Sequence, residues 1–287
     1  MAAETVGFLG LGNMGRPMAT NVAAAGFDLL CYDAAGTAER LPPGARAAAT
    51  ADEVFAGADL VLLSLPAGAA VRSVIEAILG APERRLSAVV DLSTVGPAVA
   101  AEAAEALAPV GVDYADGPVS GGVAGAQAGI VSLMFAGPAE LLDAHRPVLA
   151  AISSNVFHIG PEPGQGQAMK LLNNFLSATA LAATSEALAF GAAHGLDLAL
   201  MVEVLNVSTG RNSATVDKFP NRILSGAYDA GFHTSLMTKD VRLLAEEAAA
   251  AGTHRSVVEA VLGVWEATDE ALPASDFTQI WQHVSGT

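Results

Sequence analysis

The chain has 287 residues, 52% of them hydrophobic and 15% charged, with a net charge of −16. So apolar a composition excludes a disordered chain, and so acidic a balance argues against nucleic acid or an anionic membrane as partner. Cys31 is the only cysteine, so no intramolecular disulfide and no cysteine-based metal site can form.

Met1-Ala2-Ala3-Glu4 lacks the basic and apolar regions of a signal peptide, so the expected location is the cytoplasm. Val6–Leu9 is a short apolar run that ends in Gly10-Leu11-Gly12-Asn13-Met14-Gly15, and a helical pattern follows to Gly26. Strand, glycine turn and helix are the context a dinucleotide fingerprint requires. Gly10 allows the turn, Gly12 lets a pyrophosphate approach the backbone, and Gly15 lets the helix pack against the strand. The next apolar run, Phe27–Tyr32, ends at Asp33, where an acid would hold the adenosine ribose hydroxyls. Ala34-Ala35-Gly36 offers no arginine for a 2′-phosphate, so NAD is expected over NADP.

Further buried strands are expected at Asp59–Pro66 and Ala88–Thr94, whose hydroxyl- and proline-bearing ends could be ligand contacts or plain turn chemistry. Val112–Asp116 leads into Gly117-Pro118-Val119-Ser120-Gly121-Gly122, small residues that can expose backbone N–H groups as an anion nest. Ile130–Ala136 and Val156–Ile159 complete a strand-rich half.

Gly164-Gln165-Gly166-Gln167-Ala168-Met169-Lys170-Leu171-Leu172-Asn173-Asn174 opens an alanine-rich, helical half. Its two glycines read as a loose lead-in to a helix from about Gln165 to His194, roughly 45 Å long at ~1.5 Å per residue. Polar interruptions from Asn173 to Glu186 make it a buried or interface helix and not a membrane span. Lys170 and Asn174 share one helix face, beside an apolar face marked by Met169, Leu172 and Phe175. A lysine and a carboxamide so placed can take a proton from an alcohol and hold its oxygen. The bland alternative is a solvated lysine, but only Lys170, Lys218 and Lys239 occur in the chain, and one stands in its most apolar helix. Shorter helices are expected at 198–207, 213–224, 236–251, 256–271 and 277–284. The six histidines show no metal-ligand spacing, so no metal is expected.

With four separated motifs in view, at Gly7–Gly15, Asp116–Gly122, Gly164–Asn174 and Lys239-Asp240, the chain resembles the β-hydroxyacid dehydrogenase family from Val6 to about Ala251. The resemblance implies an α/β fold: a Rossmann-like dinucleotide-binding domain over 1–162, then an all-α domain over 163–287, joined by the long helix. It implies that Lys170 is the catalytic acid/base and Asn174 a substrate ligand, and that Ser120, Gly121 and Gly122 bind the substrate carboxylate. Cofactor contacts are implied for the Gly10–Gly15 turn (Gly10, Leu11, Gly12, Asn13, Met14, Gly15), Asp33, Ser64, Leu65, Pro66, Thr94, Phe232 and Lys239. A free lysine has a pKa of about 10.4, so its use as a base asks for burial and a cationic nicotinamide nearby. The implied activity is that of a 3-hydroxyisobutyrate dehydrogenase, with tartronate semialdehyde reductase or a serine or 4-hydroxybutyrate dehydrogenase as alternatives. A non-catalytic NAD(P)-binding scaffold would have no need of Lys170. Expected partners are a small hydroxy acid or semialdehyde and further copies of the chain, as homodimer or homotetramer. Gly117 and Ile130 depart from the family's usual alanine and threonine, and Thr209–Ser213 lacks an aromatic residue common in 3-hydroxyisobutyrate dehydrogenases.

Overall fold

The structure is a computed structural model that describes residues 4–286. The chain divides into two compact units, Met1–Lys170 and Leu171–Thr287. The division falls inside the long helix.

The first unit runs β1 (Thr5–Leu9), α1 (Gly15–Ala24), β2 (Asp28–Tyr32), β3 (Arg46–Ala47), α2 (Ala51–Gly57), β4 (Leu60–Leu63), α3 (Gly68–Gly80), β5 (Ala88–Asp91) and α4 (Pro97–Leu107). It continues through β6 (Asp113–Asp116), β7 (Val119–Ser120), α5 (Gly122–Ala128), β8 (Ser132–Ala136), α6 (Ala139–Ile152) and β9 (Asn155–Gly160) to the start of α7 (Gln165–Ala193). The strands form one sheet in the order β3-β2-β1-β4-β5-β6-β8-β7, with β9 paired to β8. Neighbours from β3 to β6 are parallel, while β8 runs antiparallel to β6 and β7. Between β1 and β4 the strand order reverses. In such sheets the crevice outside the carboxyl ends at this reversal is where ligands bind.

Every residue of β1, β4 and β5 is buried, as expected of central parallel strands covered on both faces. Alternation sends Val6, Phe8, Leu60 and Leu62 into one core with Met18 and Val22 of α1. Leu9, Val61 and Leu63 go into another with Val71, Ile75 and Ile78 of α3. Cys31 lies in the first core, where burial pushes its thiol up to about 12, so it is a packing residue. Strands β3 and β7 have two residues each; an edge strand this short has no hydrophobic period to betray it.

The second unit contains the rest of α7, then α8 (Leu198–Asn206), a π-helical stretch Ala214–Ile223, α9 (Thr234–Ala250), α10 (Ser256–Ala271) and α11 (Ile280–Ser285). Its core gathers Leu181, Leu188, Phe219, Val241, Trp265 and Ile280. Trp265 donates its indole N–H to the Ala178 carbonyl at 3.3 Å, tying α10 to α7. By length and composition α7 could cross a bilayer, but Ala178, Leu181, Ala182 and Leu188 are buried in protein.

Candidate active site

The glycine turn lies at the carboxyl end of β1. Gly10 has φ +94°, and a Cβ there would fall 2.2 Å from the Ser64 carbonyl oxygen. A Cβ on Gly15 would fall 1.9 Å from the Gly10 carbonyl. Both must therefore be glycine to close the turn. Gly12 is different: a Cβ there would meet nothing within 4 Å. The protein's own packing does not require glycine at Gly12, whereas a phosphate drawn against the backbone would. Gly12 and Asn13 are exposed and Met14 is half-buried, while the Leu11 side chain is in the core. The turn leads directly into α1, and a cavity of about 410 Å³ beside it is lined by Gly12, Asn13, Arg16 and Arg40 among others. These residues fit a dinucleotide pyrophosphate.

Asp33 follows β2, and its carboxylate is already organised. Oδ2 accepts the Leu11 N–H at 2.7 Å, and Oδ1 accepts the Ala35 N–H at 2.8 Å and the Arg40 guanidinium at 2.9 Å. Burial alone would raise its pKa; the two backbone N–H groups and Arg40 outweigh that and hold it below the ordinary 3.8. Asp33 is thus an anion throughout the physiological range. Arg40 is a partner that the neighbouring Ala34-Ala35-Gly36 did not reveal, because the loop folds back over seven residues.

Ser64, Leu65 and Pro66 follow β4, and Thr94 directly follows Ser93 in the turn between β5 and α4. The Ser64 N–H donates to Leu9 of β1. The Leu65 N–H donates to Ser93 Oγ at 2.8 Å, and the Ser93 N–H to Asp91 Oδ1 at 2.9 Å. Neighbouring strand ends are therefore laced together through side chains. Asp91 also accepts from Tyr114 Oη at 3.2 Å. Burial raises the pKa of Asp91, and burial with two neighbouring carboxylates pushes the Tyr114 phenol well above its ordinary range.

Helix α7 begins against this network, and its two glycines are not loose. Gly164 has φ +99°, and a Cβ there would lie 2.9 Å from the Pro97 carbonyl. A Cβ on Gly166 would lie 2.3 Å from the Met134 carbonyl and 2.6 Å from Asp116 Oδ2. Gly164 has no side chain to cap the helix, so Asp116 caps it from the end of β6: Oδ1 takes the Gly164 N–H at 2.6 Å and Oδ2 the Gln167 N–H at 2.7 Å. Burial nevertheless pushes the Asp116 carboxyl up to about 7, these two N–H bonds opposing and the Asp91 charge adding to it. The Gln167 side chain is fully buried. Its Oε1 accepts from the Val95 and Gly96 N–H groups at 2.9 and 3.2 Å, and its Nε2 donates to the Ser93 carbonyl at 2.9 Å.

Lys170 is 8% exposed and Asn174 6%, one turn apart on α7. The apolar face beside them is not the covered one: Leu172 is 41% exposed and Met169 only partly covered. The buried residues at this end of α7 include the polar Gln167, Lys170 and Asn174 beside Leu171. In the second unit Asn174 Nδ2 donates to Asp240 Oδ2 at 2.6 Å, and Asp240 Oδ1 pairs with Lys239 Nζ at 3.2 Å. Asp240, known from sequence only as the neighbour of Lys239, fixes which way the Asn174 amide faces. Phe232 packs edge-on against Phe277, and its carbonyl accepts the Phe277 N–H at 2.8 Å. Ser120 ends β7, paired with Ser132 of β8; Gly121 and Gly122 follow with φ of +144° and +65°. The close approach of Val131, 3.2 Å from a Cβ built on Gly121, explains the glycine there. Among the described residues no three His, Cys, Asp or Glu side chains gather as a metal site.

A doubly wound sheet with a glycine turn and an acid at its reversal point defines a dinucleotide-binding protein. Two family models match the chain. The NAD-binding domain of 6-phosphogluconate dehydrogenase covers residues 5–160, and the NAD-binding domain of NADP-dependent 3-hydroxyisobutyrate dehydrogenase covers residues 164–284. The chain is 40% identical to a 3-hydroxyisobutyrate dehydrogenase of Pseudomonas aeruginosa over 83% of each sequence. It is 36% identical to an NAD-dependent L-serine dehydrogenase of the same organism, over 91% of each. The solved structure of Mycobacterium tuberculosis 3-hydroxyisobutyrate dehydrogenase with L-serine matches with a TM-score of 0.89 at 31% identity, covering 98% of this chain and 99% of that one. The chain belongs to the β-hydroxyacid dehydrogenase family and is an NAD(P)-binding oxidoreductase.

Proposed function

We propose that this chain reversibly oxidises the primary hydroxyl of a small 3-hydroxy acid to the semialdehyde with NAD, Lys170 moving the hydroxyl proton. The observation that carries the reading is the burial of Lys170 and Asn174 one turn apart on α7. Burying an ammonium group costs free energy, so a helix that keeps one on its covered face uses it. The bound nicotinamide supplies the hydride acceptor or donor. Lys170 takes the hydroxyl proton during oxidation and returns it during reduction, at the oxygen that the Asn174 amide holds. Asp240 takes one of the two Asn174 amide N–H groups and so aims the other toward that oxygen. Ser120, Gly121 and Gly122 receive the substrate carboxylate. The Gly10–Gly15 turn would hold the cofactor pyrophosphate and Asp33 its ribose, with Ser64, Leu65, Pro66, Thr94, Phe232 and Lys239 as further contacts. The protein works in the cytoplasm as a homodimer or homotetramer assembled through its helical unit.

3-Hydroxyisobutyrate and L-serine are the first candidate substrates, since relatives of similar length bear those names. The test is NAD reduction with 3-hydroxyisobutyrate, L-serine, glycerate and 4-hydroxybutyrate, followed by two variants on the best of them. Lys170→Ala should lower kcat by about 10²–10⁴ with NADH binding retained, and Lys170→Arg should rescue little because a guanidinium stays protonated. Asn174→Ala should raise KM as well as lower kcat. A Lys170→Ala enzyme keeping more than about a tenth of wild-type kcat, where a base is worth at least ~10², would sink the mechanism.

A further inference from the structure

We propose that Gln167 is a positioning residue for the reaction: it fixes Lys170 relative to the Ser93–Gly96 turn that carries Thr94. This rests on the reading of Lys170 as acid/base.

Three observations meet at this side chain. Gln167 stands three residues before Lys170, on the same covered face of α7. Its amide bonds to backbone of one distant turn, 71 to 74 residues earlier: Oε1 accepts two N–H groups and Nε2 donates to a carbonyl. Its own backbone N–H is held by Asp116, so the residue is clamped at both ends. A glutamine with a single bond would set only a distance. Three bonds on one amide set a distance and a rotation, and the rotation of α7 about its axis is what aims Lys170. The same turn is tied through Ser93 Oγ to Leu65 at the end of β4. Leu65, Thr94 and Lys170 thus belong to one hydrogen-bonded frame with Gln167 at its junction. Gln167 reaches from the helix to the turn.

The chemistry of the clamp distinguishes it from a merely packed side chain. An amide both donates and accepts. Leucine has the right bulk but can do neither. A carboxyl group has the right shape and can replace the amide only while protonated, when its O–H can donate to the Ser93 carbonyl. Once ionised, it sets a negative charge against that carbonyl. Asp91, Tyr114, Asp116 and Lys170 are the titratable groups of the surrounding network, and wild type and variant share them all, so the ratio of their rates isolates the introduced group.

The experiment uses the full chain with NAD and the best hydroxy acid of the panel above. Gln167→Leu should lower kcat by about 10–100-fold, the scale on which a displacement of about 1 Å is felt, with KM changed far less. In a Lys170→Ala background the same substitution should cost almost nothing further, because the group it positions is gone. Gln167→Glu should approach wild-type kcat at about pH 5.5 and fall toward the leucine variant by about pH 9, taken as a ratio to wild type at each pH. Amide hydrogen exchange without cofactor should quicken at Val95 and Gly96 in the leucine variant, a readout independent of turnover. Should Gln167→Leu fail to fold, the pH ratio of Gln167→Glu decides alone. A flat ratio across that range, or a full additional loss in the Lys170→Ala background, overturns the proposal. If Lys170→Ala loses turnover while Gln167→Leu keeps it, only this inference fails; if Lys170→Ala itself keeps turnover, both fall.

Discussion

Replacing Asp116 by asparagine tests whether burial or hydrogen bonding governs the cap of α7. The carboxylate accepts two backbone N–H groups, which favours its charged form, yet it is fully buried with Asp91 opposite it on β5. Burial wins, and the group titrates at about 7 in the folded chain against an ordinary 3.8. A carboxyl whose folded pKa is raised contributes stability that is fully present below the unfolded value. That stability is lost as pH rises through the folded one. The window therefore opens near pH 4 and closes near pH 7, and about 4 kcal/mol is withdrawn across it. Asparagine does not titrate. Between pH 5 and pH 8 the wild type should lose about 3 kcal/mol relative to Asp116→Asn, even though asparagine satisfies only one of the two N–H donors. Asp91 and Asp116 titrate as a coupled pair, and relief of Asp91 in the variant acts in the same direction.

Urea unfolding of both proteins at pH 5, 6, 7 and 8 gives this difference, with the titrating groups outside the Asp91–Asp116 pair cancelling. Both tryptophans, Trp265 and Trp281, lie in the helical unit, so their emission would report the wrong transition. Far-UV ellipticity or exchange at the start of α7 is the proper signal. A difference constant to within about 0.5 kcal/mol would mean that Asp116 titrates near its ordinary value. A value held below the ordinary one, with the two N–H bonds outweighing burial, would leave the difference equally flat over this range, and either case refutes the reasoning.

Gly166→Ala should destabilise by more than about 2 kcal/mol despite a gain of about 1 kcal/mol in helix propensity, since its Cβ meets a carbonyl and a buried carboxylate that cannot yield. Gly12→Ala should leave thermal stability nearly unchanged but weaken NADH binding about tenfold or more, because only the cofactor needs that space; fluorescence titration and a melting curve separate the two. Wild type should favour NAD over NADP in kcat/KM, and Asp33→Ser, which releases Arg40, should narrow or invert that preference; unchanged ratios would remove Asp33 from the ribose site. Sedimentation at micromolar concentration should find a dimer or larger species, since Leu176 and Phe190 of α7 are 61% and 68% exposed; a compact monomer would count against this.

What could be read from the sequence was whatever is encoded locally. Strand, glycine turn, helix and acid all fall within Val6–Asp33, and each signal there supports the next. Central strands such as Leu60–Leu63 announce themselves because both faces are covered and every residue is apolar. Strand β7 did not, because two residues paired antiparallel to β8 are defined by their partner and not by their own pattern. Helix α7 illustrates the limit within a single element. Its span was legible from composition. Which of its sides faces protein was not: Leu181 and Leu188 are buried, whereas Leu176 and Phe190, equally apolar, are exposed. A helix apolar on most sides has no periodicity by which to choose.

The same limit explains why Lys170 could be singled out while the residues that hold it could not. A reacting side chain is conspicuous by chemistry, as a rare lysine in an apolar helix. A positioning residue is conspicuous only by its partners, and those of α7 are remote: Pro97 against Gly164, Met134 and Asp116 against Gly166, Ser93 and Gly96 on Gln167. Without the sheet, Gly164 and Gly166 look like slack in the chain. In the fold they stand where other backbone lies too close for a Cβ, and Gln167 reaches across to the Ser93–Gly96 turn. The Gly-Gln-Gly-Gln run is therefore the docking surface of a helix, placed one turn before the lysine whose aim depends on it.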